Sequence, residues 1–218
     1  MGPRKGEKRN MASRSRRNPQ VVAFLGTTGS GKSEALNAIT GKQIFATDAV
    51  RPKTIRPQYH EHENCLLVDL PGIGEADVSR NSKWLKQYMT VLSEGVKLPV
   101  LGRKLDVHIV VWLLKADARD YILDANFYHD FIKKMPRIRK RQTALHYAIS
   151  QADKIEPMRD DGGWDTDKAQ PGSKQLANII KKRRAIAACF ERQFSTVVAF
   201  SATESYNVDK LKRLLTVV

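Results

Sequence analysis

Residues 26–33 read Gly26-Thr27-Thr28-Gly29-Ser30-Gly31-Lys32-Ser33. They follow an unbroken apolar run, Val21-Val22-Ala23-Phe24-Leu25, and precede Glu34-Ala35-Leu36-Asn37-Ala38-Ile39, which has helical spacing. This is the pattern G-x-x-x-x-G-K-[S/T] set between a strand and a helix, the context a phosphate-binding loop requires. Glycine permits backbone conformations that a Cβ penalises. The loop can therefore turn its N–H groups inward around phosphate oxygens, and the helix N-terminus adds unpaired donors and a positive dipole end. On this reading Lys32 is the catalytic cation, reaching the β- and γ-phosphates, and the Ser33 hydroxyl ligates Mg²⁺. A coincidental glycine-rich turn is the competing reading; the flanking strand and helix argue against it.

Outward from this loop, composition sets the frame. A chain of 218 residues is long enough for one domain with a full core. No run of 18 apolar residues is present, so no transmembrane helix is expected. Residues 1–19 lack the apolar centre of a secretory signal, and Gly2 lacks the Ser or Thr at residue 6 that myristoylation needs. A cytoplasmic protein is expected, with Cys65 and Cys189 as buried, reduced thiols. The net charge is +15. Residues 1–19 form a basic tail, with Arg4, Lys5, Lys8, Arg9, Arg14, Arg16 and Arg17 against Glu7 alone, and almost nothing apolar to hold it in a fold. Further basic clusters lie at 133–141 and 181–184. Such a surplus either solvates the surface or holds a polyanion, RNA or anionic lipid. No aromatic RNP signature is present.

Along the chain, strands alternate with helices, which predicts an α/β fold with a mainly parallel sheet. Residues 20–25 are the first strand. The polar stretch 55–63, with Pro57, suits an exposed edge strand, with His60 and His62 on one exposed side. Cys65-Leu66-Leu67-Val68 is a buried strand that runs into Asp69-Leu70-Pro71-Gly72. An Asp at that place holds Mg²⁺ through water in nucleoside triphosphatases, and the Gly72 N–H can meet a γ-phosphate whose loss would release the turn. A helix is expected over 79–94 with Trp84, Tyr88 and Met89 packing inward, then a loop over 95–104 and a strand over 107–114, where His108 reads as a satisfied interior histidine. Arg119, just after that strand, reads as a salt-bridge partner or as a charge for the phosphoryl group. A helix over 121–135, a strand over 143–149, a long loop over 156–173, a helix over 174–194, a strand over 196–200 and a helix over 208–215 complete the chain.

The ordered series G-T-T-G-S-G-K-S, D-L-P-G, S-Q-A-D and S-A-T resembles the motifs of the translation-factor-like GTPases, Era and TrmE branch. D-L-P-G-I-G-E, W-L-L-K-A-D-A-R, Q-A-D-K-I-E-P and S-A-x-x-x-Y-N-V-x-x-L resemble the YfjP-type bacterial GTPases. The resemblance covers residues 20–217. It implies a P-loop GTPase domain over 20–218, with a six-stranded sheet, one antiparallel edge strand and helices on both faces. It implies GTP and GDP as ligands, their phosphates on Gly26, Thr27, Thr28, Gly29, Ser30, Gly31, Lys32, Ser33 and Gly72. It places guanine on Gln151, Asp153, Ser201 and Ala202, and Mg²⁺ on Ser33, Asp69 and a switch threonine, Thr54 in preference to Thr47. A carboxylate at Asp153 accepts from the ring N–H and exocyclic amine of guanine, a donor pair adenine lacks. Departures are visible: Ser150 and Gln151 replace the family's Asn and Lys. Ile73 stands where Ras-like proteins place a water-orienting Gln, and Gly29 where potassium-using relatives place Asn. These imply slow Mg²⁺-dependent GTP hydrolysis in a molecular switch, with a dimer or an activating protein supplying the missing group. Two alternatives stay open. One is an ATP-using P-loop NTPase; the other is a nucleotide-stabilised basic module that binds RNA, the ribosome or an anionic membrane through its tail.

Overall fold

The computed structural model describes residues 18–46, 56–73, 78–97, 104–118, 121–158 and 162–216. Six strands form one sheet in the order β10-β7-β6-β1-β3-β2. At its centre β1 (Gln20–Gly26) pairs in parallel with β3 (Cys65–Asp69) and β6 (Ile109–Lys115). β6 pairs in parallel with β7 (Ala144–Ser150), and β7 with β10 (Val197–Ala199). β2 (Gln58–His62) lies antiparallel on β3 at the edge, as the polar stretch with Pro57 predicts. Val21 to Leu25 are wholly buried, because a central parallel strand is covered on both faces. On one face α1 (Lys32–Thr40) and α6 (Val208–Arg213) pack on Val22, Phe24, Leu67, Val111 and Leu113. On the other, α2 (Val78–Glu94), α3 (Ile122–Asp130) and α5 (Ser173–Cys189) cover Val21, Leu25, Val110, Trp112 and Tyr147. The carboxyl ends of β1, β3, β7 and β10 point the same way, so residues 26–33, 69–73, 150–154 and 200–206 gather at one end of the sheet, where open α/β sheets take their ligands.

Several expectations need correction. The loop at 95–104 is bracketed by a small hairpin, β4 (Val96–Lys97) with β5 (Lys104–Leu105), which buries Val96 and Leu105. The stretch 156–173 holds a second hairpin, β8 (Trp164–Asp165) with β9 (Gln170–Pro171). Trp164 anchors it: the ring meets Tyr206 edge-on at 5.4 Å, and Nε1 donates to Glu204 at 3.3 Å. Strands of two residues are too short to show alternation. The helix expected over 121–135 ends at Asp130, and a 3₁₀ turn at Ile132–Lys134 follows. The chain then restarts as the short α4 (Pro136–Arg139), with Pro136 in its first turn, where a missing N–H costs nothing. α5 stops at Cys189, before the expected 194. His60 is half-buried, its ring edge-on to Phe45 at 6.2 Å. Cys65 is half-buried and Cys189 exposed, both free thiols. His108 does take an interior role, its Nδ1 accepting the Val21 N–H at 3.0 Å. No helix among the described residues is long and apolar enough to cross a membrane. Residues 1–17 of the basic tail, Thr47, Thr54 and Arg119 lie outside the described residues.

Candidate nucleotide site

The loop after β1 takes its shape from the sheet edge it leaves. Gly26 has φ 145°, and a Cβ there would stand 2.3 Å from the Leu113 carbonyl oxygen, so only glycine lets β1 turn out beside β6. Lys32, the first residue of α1, folds its side chain back over the loop. Its Nζ donates to Gly26 O at 3.1 Å and Thr27 O at 3.0 Å, with Ser30 Oγ at 3.4 Å. Burial lowers its pKa, and the nearby Asp69 and Glu34 pull the other way. A cation is thus aimed across the concavity of the loop before any anion arrives. The Thr28 hydroxyl is buried and has no hydrogen-bond partner among the described residues.

At the end of β3, the buried Asp69 accepts a hydrogen bond from Ser33 Oγ to Oδ2 at 2.7 Å. Two elements far apart in sequence thereby bring a hydroxyl and a carboxylate together. Hard oxygen donors, few in number and beside a phosphate-binding loop, fit Mg²⁺, which takes one or two protein ligands plus substrate phosphates. Sequence reading placed Ser33 and Asp69 in one site, and they touch.

The turn after Asp69 lies directly on the phosphate loop. A Cβ on Gly72 would stand 2.5 Å from Thr28 Cα and 2.7 Å from its nitrogen. Thr28 N–H donates to Ile73 O at 2.8 Å, and Ile73 N–H donates to Gly26 O at 3.3 Å. The Ile73 side chain is 1 % exposed, in the core, so it offers nothing to a water. Sequence reading took Tyr88 only as packing. Its hydroxyl reaches Pro71 O at 2.7 Å and Gly26 O at 3.2 Å, joining α2 to the turn and to the loop. Burial raises its pKa far above the usual phenol range, so it stays a donor. Asn37 was missed too. Its Oδ1 accepts the Ile44 and Phe45 N–H groups at 2.9 and 2.8 Å, and its Nδ2 donates to Phe45 O at 2.9 Å. This fixes the chain just after α1, ahead of the residues that include Thr47 and Thr54. An Asn inside a helix, where its propensity is poor, was the one available signal.

On the base side, Gln151 adopts φ 57° and donates Nε2 to Gly29 O at 3.3 Å. Ser150 Oγ instead reaches Leu114 O at 3.4 Å. The brace to the phosphate loop therefore comes from Gln151 rather than from residue 150. Asp153 sits in the 3₁₀ turn Ala152–Lys154, with Oδ1 buried and without a hydrogen-bond partner among the described residues. Its backbone is held by Gln175 of α5, whose Nε2 donates to Asp153 O at 3.0 Å and Ile155 O at 2.6 Å; nothing local in the sequence marks Gln175 for this. Ala152 N–H bonds to Phe200 O at 3.0 Å, which brings the segment after β10 alongside. There the Ser201 N–H donates to Tyr206 O at 3.0 Å, and Ser201 Oγ accepts the Glu204 N–H at 3.2 Å. Ala202 and Thr203 border a groove of about 320 Å³ against Glu34, Asn37 and Ala38 of α1.

A family model described as 50S ribosome-binding GTPase matches residues 21–135. The uncharacterized protein YfjP of Escherichia coli (strain K12) is 31% identical over 161 residues, 72% of this chain and 50% of YfjP. The probable GTP-binding protein EngB of Hydrogenovibrio crunogenus is 36% identical over 128 residues, 53% of this chain and 59% of EngB. The crystal structure of Era in complex with MgGDPNP and nucleotides of 16S ribosomal RNA superimposes with a TM-score of 0.59 at 18% identity, over 91% of this chain and 56% of Era. At that identity the likeness shows the fold alone. The chain spans about half the length of curated relatives such as YfjP and YkfA.

Proposed function

The chain belongs to the 50S ribosome-binding GTPase family, and from that premise we propose that it is a molecular switch that binds GTP and GDP and hydrolyses GTP slowly. The observation that carries guanine recognition is the buried Asp153 Oδ1, left without a partner beside a formed phosphate loop. An unsatisfied buried acceptor is costly, and the N–H pair of guanine would satisfy it. Gln151, Ser201 and Ala202 line the same side. Gly26 to Ser33 and Gly72 hold the phosphates, with Lys32 as the catalytic charge. Ser33 and Asp69 hold Mg²⁺, with Thr54 as the third ligand. Mg²⁺ held there would supply charge neutralisation for the transferring phosphoryl group.

The chain's own contribution is positioning and electrostatics. The loop N–H groups and Lys32 stabilise charge that develops on the transferring group. Ile73 orients no water, so the intrinsic rate stays below about 0.01 per second, the range of GTPases that lack an activating group. A second protein or a second copy completes the site. Membership of the Era/TrmE-like branch is supported by the ordered motifs and by the likeness to EngB. The family's description and the ribosomal RNA bound to Era support a ribosomal RNA partner; a cytoplasmic location is part of the same proposal.

Single-turnover phosphate release from GTP and ATP, with and without Mg²⁺, tests the reading. GTP hydrolysis below about 0.01 per second is expected, dependent on Mg²⁺ and lost in Lys32→Ala. Equal turnover of ATP, or turnover indifferent to Lys32→Ala, would overturn it.

A further inference from the structure

The basic cluster at 133–141 has no part in the nucleotide site. At the opposite end of the sheet, where β6 and β7 begin, a recess of about 470 Å³ is lined by His108, Ile138, Arg141, Gln142, Thr143 and Arg192. Ile138 and Arg141 bring α4 and its flank, a segment rich in basic side chains, to this recess. Two of them are neutralised within the fold: Lys133 pairs with Glu191 at 2.7 Å, and Arg137 with Asp106 at 2.6 Å. Lys134, Arg139, Lys140 and Arg141 are exposed and form no ion pair among the described residues. Arg192 lies over the Tyr147 ring, 5.7 Å from its centre, and its Nε is buried without a hydrogen-bond partner among the described residues. Arg141 has φ 58°, a left-handed conformation that side chains other than Gly and Asn adopt at a cost. It is held there by the Arg141 N–H to Ile138 O at 3.0 Å and the Gln142 N–H to Arg137 O at 2.8 Å. The fold thus fixes one arginine at the mouth of the recess and a second at its wall.

We propose that this α4 end, and not the amino-terminal tail alone, is the docking surface for the phosphodiester backbone of an RNA. This rests on the reading that the chain has an RNA partner. Unpaired like charges crowded on one short segment repel one another until an anion joins them. Guanidinium forks match phosphate oxygens in pairs, and four exposed cations in eight residues suit a run of phosphates better than a single one. A membrane fits less well. The large exposed apolar side chains, among them Phe131, Ile122 and Leu123, lie outside 133–142, so this segment has nothing to bury among acyl chains. β7 separates the recess from Ser150 by its seven residues, roughly 20 Å at strand rise. RNA docked there leaves the nucleotide mouth open.

The test is anisotropy of a fluorescein-labelled 20-nucleotide single-stranded RNA titrated with the full chain from about 50 to 300 mM KCl. The wild type is compared with Arg139→Ser/Lys140→Ser/Arg141→Asn, Asn being at ease with a left-handed backbone. Loss of three phosphate contacts should lower the slope of log affinity against log salt by about 2, and affinity at 0.1 M salt on the order of 100-fold. GDP binding, measured on the same samples, should be unchanged, which reports an intact fold. Should the triple variant fail to bind GDP, Lys140→Glu on one exposed side chain should still weaken RNA binding at least fivefold. Unchanged affinity and slope in the variant that binds GDP would overturn the proposal. So would charge-sensitive binding to phosphatidylcholine–phosphatidylglycerol vesicles with no RNA binding. A wild type that binds RNA but no GDP would sink the nucleotide reading and leave this surface standing.

Discussion

Asp124 of α3 accepts a hydrogen bond from Trp112 Nε1 at 2.8 Å inside the core beside the phosphate loop. Burial pushes its pKa from 3.8 up to about 6, against the opposing pull of the Trp112 N–H and of Lys32. A folded acid with a raised pKa binds its proton more tightly than the unfolded chain does. Its contribution to stability is therefore full below about pH 4 and falls as pH rises through 6. Moving from 3.8 to about 6 corresponds to about 3 kcal/mol. Between pH 4 and 7 the stability of Asp124→Asn relative to the wild type should rise by about that amount, read from denaturant midpoints at each pH. A constant difference would contradict the assignment. Residues of this kind set the limit of what sequence discloses. Lys32, Ser33, Asp69 and Asp153 were legible because each sits in a short motif whose spacing is the chemistry. Asp124, Gln175 and Tyr88 were not, because their partners lie 12 to 62 residues away and no local pattern records a long-range hydrogen bond.

At the level of elements, β1, β3 and β6 were legible from apolar runs, β7 from an apolar run broken by His146, and β2 from its polar stretch with Pro57. The hairpin β8–β9 was not, because Trp164 anchors it to Glu204 and Tyr206, the former 40 residues further along the chain. The join between α2, the 69–73 turn and the phosphate loop was hidden for the same reason, and it carries a prediction. A phenol has one proton, and the shorter distance gives it to Pro71 O rather than Gly26 O. Tyr88→Phe leaves a buried carbonyl oxygen unpaired and should cost about 1–2 kcal/mol, measured by urea unfolding. The same change frees the turn that holds Gly72 against Thr28. Its selective effect should be on the ratio of affinities for a non-hydrolysable GTP analogue and GDP, shifted severalfold. An equal change for both nucleotides would mean that Tyr88 supports the core and does not link the turn to the loop.

Across the whole molecule, function is divided between the two ends of the sheet. The carboxyl ends of the strands gather the motifs that resemble a GTPase, and the opposite end carries unpaired basic charge around a recess. The alternation of strands and helices made the architecture legible. The placement of the basic clusters was not legible, since charge in a sequence has no direction until helices give it a face. The central claim is guanine recognition through Asp153. Its most direct test is equilibrium binding of fluorescent GDP, GTP and ATP analogues, with Mg²⁺, to the wild type and to Asp153→Ala. Guanine nucleotides should bind the wild type in preference to ATP, and Asp153→Ala should lose that preference through a fall in GTP and GDP affinity on the order of 100-fold, as expected for two hydrogen bonds to a charged acceptor. ATP and GTP bound equally, with neither affected by the substitution, would contradict the account.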